Sequence, residues 1–343
     1  MGKGQVIVLI SALIFSAVPA YADDADLRAE STARRSIELL KDTKYAHEAT
    51  VALTSLKEKA VPALAEEAKN KEAKVSQRIA VIDIMGYIRS PMAVDALVLT
   101  MKDTDVKIRR ASAKALGKIG DSRAVGVLKE ALADHDSEVR YLATRSLQEI
   151  KDPSLGDVFL KLTDDPDLRI KCLAIEGLGD IKEERAVEKL SNMTGEYDDN
   201  VRLCIVVALK DIGTKSAVPA LNTLSEDRNI KIRREALIAL GKIGDPSSVP
   251  YLMKVAERDE KDLRRIAVIS LGDIGTDEVI PTLKKFLSDE VIDIRLAAIQ
   301  SLARIGKPEF IPDLEALSKD ESMKVRKASQ VAIDEIRAKG TTK

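Results

Sequence analysis

Residues 232–245 read IRREALIALGKIGD, and residues 108–121 read IRRASAKALGKIGD, which is nearly the same phrase earlier in the chain. The two stretches lie four steps of 31 residues apart. At this period a basic residue recurs without a slip, and an isoleucine stands ten residues after each one. Self-similarity at a period of about 20 to 50 residues is typical of solenoids, in which each unit stacks on its neighbours. The basic positions are Arg78, Arg109, Arg140, Lys171, Arg202, Arg233, Arg264, Arg295 and Arg326.

Each unit is predicted to be a pair of helices. Its apolar residues are spaced by four, four and three positions, which places them on one helical face. Gly244 follows at the position where a left-handed residue ends a helix, and a shorter second helix is expected over residues 249–258. We therefore expect an all-α fold, a right-handed α-solenoid of two-helix repeats with a 31-residue period. The apolar face of the first helix consists of Ile232, Ala236, Leu240 and Ile243.

Glycines lie inside several of the predicted first helices. A glycine within a helix costs about 1 kcal/mol relative to alanine, so its recurrence needs a reason. The reason we infer is close packing between the backbones of neighbouring helices. The glycines concerned are Gly117, Gly179, Gly241 and Gly272.

The first 22 residues have the pattern of a secretory signal peptide. Lys3 precedes an apolar run over residues 6–18, and small residues end the segment at Ala22. The run is shorter than the ~20 residues that a spanning helix needs. We expect cleavage after Ala22 and export of the chain to the periplasm, or alternatively to the medium. After the signal peptide (1–22) we expect a capping helix over 23–44, a solenoid of about nine repeats plus a terminal helix over 45–337, and a tail over 338–343.

The overall charge argues against two classes of partner. Lys and Arg together number 55, while Asp and Glu number 56. A chain so balanced creates no long-range field that would attract nucleic acid or an anionic membrane. We therefore expect no nucleic-acid binding. After the signal peptide no segment is apolar enough to span a membrane, so we expect no membrane insertion after signal cleavage. A monomer is the favoured oligomeric state.

Residue types that carry chemistry are sparse. The two histidines, His47 and His135, are almost three predicted repeats apart, and no phosphate-binding loop or nucleophile motif is present. We therefore expect no catalytic residues, no cofactor and no metal. The two cysteines, Cys172 and Cys204, fall on successive first helices. We expect both to be packed and reduced, with a disulfide between them as the alternative.

The unit resembles the HEAT repeat in three features. Its first helix opens on a β-branched residue followed by Arg and ends in ALGKIGD, and the second helix opens on AVPAL (Ala217–Leu221). The subgroup it resembles was first described in phycobilisome lyases. The resemblance implies a ladder through the stack, formed by an Asp near the end of each second helix and an Arg six residues later. Glu196 is a conservative change in the Asp column, and Arg258 departs from it. The alternative is that the Arg column contacts an anionic ligand. The ladder residues are Arg109, Arg140, Arg202, Arg233, Arg264, Arg295, Arg326, Asp103, Asp134, Asp165, Asp227 and Asp289.

In HEAT stacks the second helices line a concave groove, so the resemblance predicts where a partner binds. If the apolar face of each second helix points inward, two columns of residues point into the groove. Apolar members cluster early along the chain, and an aromatic and basic group follows later. A partner segment is expected to lie here, unless these are ordinary solvated positions. The candidate partner-binding residues are Leu99, Val127, Val158, Tyr251, Lys254 and Lys285.

The sequence therefore predicts a non-enzymatic protein-binding or assembly scaffold of the cell envelope. One alternative is a protein related to the bilin lyases, or another HEAT-repeat protein that handles a small molecule. The export signal and the aromatic content of only 3% argue against a bound pigment. The other alternative is a purely structural envelope protein.

Overall fold

The computed structural model describes residues 25–341, and this range consists of α-helices joined by turns, with no β-strand. Long and short helices alternate along the chain, which confirms the all-α solenoid of two-helix repeats. The predicted signal peptide lies outside the described residues. The chain forms two compact units, one that ends at Leu155 and one that begins at Gly156.

The first unit contains eight helices in its described part. The bounds are α1 (Ala25–Leu39), α2 (Ala46–Ser55), α3 (Val61–Lys69), α4 (Val75–Ile88), α5 (Val94–Thr100), α6 (Val106–Ile119), α7 (Val125–Ala131) and α8 (Ser137–Ile150).

The second unit contains twelve helices in its described part. The bounds are α9 (Gly156–Leu162), α10 (Leu168–Asp180), α11 (Ala186–Asn192), α12 (Asp199–Ile212), α13 (Val218–Leu224), α14 (Ile230–Ile243), α15 (Val249–Arg258), α16 (Lys261–Ile274), α17 (Ile280–Phe286), α18 (Ile292–Ile305), α19 (Ile311–Ala316) and α20 (Met323–Thr341).

Local sequence sets the ends of the long first helices. At the start of α6 the side chain of Asp105 accepts a hydrogen bond from the backbone N–H of Lys107, and Asn229 caps α14 in the same way. Such caps satisfy N–H groups that a helix leaves without partners. At the other end, Gly120 and Gly244 adopt φ values of +73° and +71°. Only glycine adopts this conformation without a steric cost, so the helix ends where the glycine was predicted to end it.

First helices pack against first helices of the next repeat, as α6 does against α8 and α16 against α18. Three residues of the predicted apolar face, Ile232, Ala236 and Leu240, are fully inaccessible, while Ile243 at the helix end is partly exposed. A methyl group added to Gly179 would lie 2.9 Å from the backbone Cα of Ala208 on the neighbouring helix. Real Cβ atoms essentially never show a contact this short, so close backbone packing excludes a side chain at Gly179. Gln148 and Lys210 occupy the same column in other repeats, so glycine is not required throughout the column.

The two ends of the described chain differ in detail from expectation. Helix α1 buries Ala33 and Ile37 and leaves Leu27 exposed. It packs against α2 and α3. At the other end α20 continues to Thr341, so helical structure extends beyond residue 337 into the predicted tail.

Candidate protein-binding surface

Arg202 shows how the arginine column joins one repeat to the next. Its Nε lies 2.7 Å from Asp227 Oδ2, and its Nη2 donates to Asp227 Oδ1 at 3.1 Å. Its Nη1 donates to the carbonyl oxygen of Glu196 at 2.6 Å. The Arg202 and Asp227 side chains are only 5% and 8% exposed. The carboxylate therefore comes from the following repeat, 25 residues later, while the residue six positions earlier contributes its carbonyl.

The same carboxylate contact recurs in both units. Hydrogen bonding to Arg109 is the main cause that holds the pKa of Asp134 below its usual range. Arg140 and Arg326 donate to the carbonyls of their own preceding loops, and the Asp165 carboxylate accepts from the backbone N–H of Asp167. The pairs in which the structure joins the two columns are Arg78–Asp103, Arg109–Asp134, Lys171–Glu196, Arg202–Asp227, Arg264–Asp289 and Arg295–Asp320.

The ladder is interrupted at Arg233. The residue 25 positions later is Arg258, which cannot accept a hydrogen bond. Helix α15 runs through Arg258 itself, whereas α13 and α17 end three residues before Asp227 and Asp289. Arg233 reaches Glu260 at 3.1 Å and lies 3.7 Å from Asp259. Its Nε is buried and has no hydrogen-bond partner among residues 25–341.

A second ion pair beside the ladder was not predicted. Arg110 Nε donates to Asp136 Oδ1 at 2.8 Å, and the same carboxylate caps α8 by accepting from the backbone N–H of Val139. The hydrogen bond from Arg110 is the largest cause that lowers the pKa of Asp136 to about 2 from its usual 3.8. The sequence signal was present, since Arg110 follows the ladder arginine and Asp136 precedes the next first helix.

We expect Asp136 to contribute to the acid lability of the first unit. Because its pKa is lower in the folded chain than in the unfolded chain, its contribution to stability is present above pH ~4 and is lost as the pH falls through about 2. In Asp136→Asn, which keeps a capping oxygen, the melting temperature should fall less steeply between pH 4 and pH 2. Thermal melts followed by circular dichroism test this. The control is Glu58→Gln, which changes an exposed carboxylate without an ion pair in the described range; an identical slope for all three proteins would contradict the prediction.

The second-helix surface is the set of exposed side chains on the short helices of each unit. In the first unit it includes Leu99, which is 61% exposed. Val127 is buried at 8% exposure, so its predicted exposure was wrong. The first of the two predicted columns is largely covered by the neighbouring second helix, as the burial of Ala96 also indicates. The second column, which contains Leu99 and Glu130, is exposed.

In the second unit, Val158 is half-buried, while Tyr251 is 44% exposed and Lys254 and Lys285 are both exposed. Both lysines form ion pairs. Lys254 pairs with Glu226 at 2.7 Å, and Lys285 pairs with Glu257 at 3.1 Å. These pairs join successive second helices and are open to solvent, so each contributes little to stability. The predicted basic group is thus a row of screened ion pairs beside an exposed tyrosine.

A small cavity of about 210 Å³ opens where the ladder is interrupted. Arg233 and Arg258 line it, and so do Tyr251 and Lys254 of the second-helix surface. Arg258 was predicted to depart from the Asp column, but its position beside Tyr251 and Lys254 was not predicted. The sequence spacing could have indicated that these side chains lie together. Tyr251, Lys254 and Arg258 are separated by three and four residues and so share a face of α15.

Serines next to the helix glycines form contacts that the sequence analysis missed. Ser270 Oγ donates to the carbonyl of Leu237 at 2.9 Å, and Ser301 Oγ donates to that of Val268 at 3.0 Å. Each serine lies against a glycine of the preceding first helix, Gly241 or Gly272. The close approach of the backbones therefore also brings a hydroxyl within reach of a carbonyl on the neighbouring helix.

Cys172 and Cys204 are free thiols in this structure and each is partly buried. The hydrogen bond between them raises the pKa of Cys204 and lowers that of Cys172. The Sγ atom of Cys204 lies 3.8 Å from Glu176 Oε1. Burial raises the pKa of that carboxyl.

Within residues 25–341, no group of three or more His, Cys, Asp or Glu side chains is arranged to hold a metal ion. No helix in this range is long and apolar enough to cross a membrane.

The model of a family described as HEAT repeats matches residues 61–148, 127–203, 192–270 and 252–334 of the chain. Comparison with curated proteins gives no significant match. Among solved structures, an engineered protein is 20% identical with a TM-score of 0.56, over 94% of this chain and 98% of that one. The YibA protein of Escherichia coli is 19% identical with a TM-score of 0.51, over 78% and 99%. Kap95p, from a complex with RanGDP, is 13% identical with a TM-score of 0.63, over 98% and 52%. At these identities the likeness concerns the fold alone.

Proposed function

Because this chain belongs to the HEAT-repeat family, we propose that it is a non-enzymatic protein-binding or assembly scaffold of the cell envelope. The export signal read from residues 1–22 supports the location, and the periplasm is the compartment we propose. The partner is a protein segment that contacts the second-helix surface. The scaffold acts by presenting side chains from successive repeats at fixed spacing.

The observation that carries this proposal is the side-chain content of the second-helix surface. Leu99 in the first unit exposes 61% of its surface, and Tyr251 in the second unit exposes 44%. Exposed tyrosine is favoured at protein interfaces because its ring contributes contact area and its hydroxyl remains hydrogen-bonded. In the second unit, Lys254 and Lys285 stand on the same face as Tyr251 and form only solvent-exposed ion pairs. A partner can displace such pairs at small cost.

Electrostatics argues against nucleic acid, and the size of the cavity at Arg233 suits a side chain of a protein partner. The net charge of −1 supplies no field for nucleic acid. The cavity at Arg233 has a volume of about 210 Å³, below the roughly 300 to 1,000 Å³ typical of drug-sized ligand sites. A single side chain of a partner fits a cavity of this size.

Affinity capture from a periplasmic extract tests the proposal. The bait is the chain over residues 23–343, beside a surface variant that carries Tyr251→Ala, Lys254→Glu and Lys285→Glu. We expect one protein to be retained by the unaltered chain and lost by the surface variant.

The matched control carries the same kinds of change away from the second helices, at Tyr197→Ala, Lys231→Glu and Lys324→Glu, all of which are exposed. It should retain the partner. Retention by all three baits would contradict the second-helix surface as the binding site. Loss from both variants would indicate a general effect of charge, and capture of nothing by the unaltered chain would contradict the scaffold itself.

A further inference from the structure

The interrupted rung leaves a buried cationic donor without an acceptor. Arg109 and Arg202 direct their Nε–H groups at a carboxylate, at 2.8 Å and 2.7 Å. The Nε of Arg295 also lacks a well-directed hydrogen bond, but it lies 3.0 Å from Asp320 Oδ2. Arg233 has no carboxylate at this distance from its Nε. A buried polar group without a partner is costly and calls for an explanation.

The cavity in front of Arg233 is lined by a cation that forms no ion pair within the described range. Three cations line it, Arg233, Lys254 and Arg258, against the two carboxylates of Glu226 and Asp259. Lys254 is engaged by Glu226, and Arg233 lies near Asp259. Arg258 makes no ion pair or hydrogen bond through its side chain within the described range. Arg233 is also paired with Glu260, which lies outside the lining. Arg258 is therefore the one lining cation left over without a carboxylate, beside the unpartnered Nε of Arg233.

We propose that this cavity receives the carboxylate of an aspartate or glutamate on an acidic segment of the protein partner. This inference rests on the proposed function. That carboxylate takes the place of the missing ladder aspartate. It pairs with the guanidinium groups of Arg233 and Arg258, while Tyr251 and Val255 at the cavity wall contact the aliphatic part of the incoming side chain.

The chemistry favours a carboxylate over a phosphate group. The other rungs show that the geometry around the ladder arginine accommodates a planar carboxylate. The one unpaired lining cation, Arg258, matches one negative charge, whereas a phosphate group carries up to two. The cavity is also partly apolar, which suits a carboxylate attached to a peptide rather than a free ion.

The test measures binding of a fluorescein-labelled peptide, Gly-Gly-(Glu)4-Gly-Gly, by anisotropy to the purified full chain as processed on export. We expect binding at least tenfold tighter than that of the corresponding glutamine peptide. Arg258→Asp reverses the leftover charge at the cavity and should weaken binding of the glutamate peptide at least tenfold. Arg234→Asp makes the same change at an exposed position that does not line the cavity, and it should change binding less than twofold.

Three results would overturn the inference. The first is absence of binding by the unaltered chain at millimolar peptide. The second is equal weakening by Arg258→Asp and Arg234→Asp, which would mean that only overall charge matters. The third is displacement of the peptide by inorganic phosphate at a lower concentration than by acetate, which would assign the cavity to phosphate. Circular dichroism verifies that both variants are folded.

The same variants separate this inference from the proposed function. Capture of a periplasmic protein that is lost with the Tyr251, Lys254 and Lys285 changes but retained by Arg258→Asp would leave the scaffold in place and reject the carboxylate site. Capture that is lost with both supports the two together.

Discussion

Replacement of Arg202 by alanine should lower the free energy of unfolding by about 3 to 5 kcal/mol, because it leaves the carboxylate of Asp227 buried and unpaired. The two side chains are 5% and 8% exposed, so water cannot take over the role of the guanidinium. The same change removes the hydrogen bond to the carbonyl of Glu196. Urea unfolding followed by circular dichroism measures the loss.

Arg233→Ala is the matched control for this prediction, since it truncates an arginine in the same column. Arg233 is 23% exposed, its nearest carboxylate contact is an exposed glutamate, and its Nε has no partner to lose. We expect a loss below about 1 kcal/mol. Combining Arg202→Ala with Asp227→Asn should recover part of the stability, because the unpaired charge disappears. Equal losses for Arg202→Ala and Arg233→Ala would show that the ladder carboxylates do not stabilise the stack.

Replacement of Gly272 by alanine should destabilise the second unit by about 1 to 3 kcal/mol, the usual cost of overpacking a well-packed contact. A Cβ at this position would clash with Ser301 Cβ and lie 2.8 Å from Ser301 Cα. Because a backbone atom is involved, a rotamer change cannot relieve the clash. The whole helix α18 has to move away from α16, which also weakens the hydrogen bond from Ser301 to Val268. The shift of the urea midpoint measures the effect.

Gly126→Ala is the control for overpacking. Gly126 is the second residue of α7, and an added Cβ there meets no atom within 4 Å. We expect a gain of up to about 1 kcal/mol, because alanine favours the helix. Gly272→Ala combined with Ser301→Gly should recover only part of the loss, since the Cα of residue 301 stays in place. A gain in both single variants would mean that neighbouring first helices separate without cost.

These two predictions explain why the repeat is so regular. The arginine ladder joins successive repeats near the N-terminal ends of the first helices, and the glycine contacts bring their backbones together near the C-terminal ends. Both depend on the same distance between repeats, so a residue that changes this distance affects both. The stack accommodates Arg258 because α15 is longer and a cavity lies beside Arg233 in place of the ladder carboxylate.

The sequence by itself was sufficient for the fold. The 31-residue recurrence, the spacing of Ile232, Ala236 and Leu240, and the glycine at position 244 predicted helix pairs, their buried faces and their ends. These features are local, since a helical face and a left-handed cap depend on residues within a few turns of one another. The close packing at the internal glycines also followed from the sequence, because no other cause explains a repeated glycine within a helix.

Only the tertiary structure decided which surfaces remain open. Val127 and Leu99 belong to adjacent columns of predicted groove residues, yet one is buried and the other exposed. The difference depends on how the second helix of the next repeat packs, which spacing along one helix cannot specify. The same holds for the ladder, where the carboxylate comes from the repeat that follows. It holds for the cavity as well, because the consequence of Arg258 for Arg233 appears only when residues 25 positions apart are brought into contact.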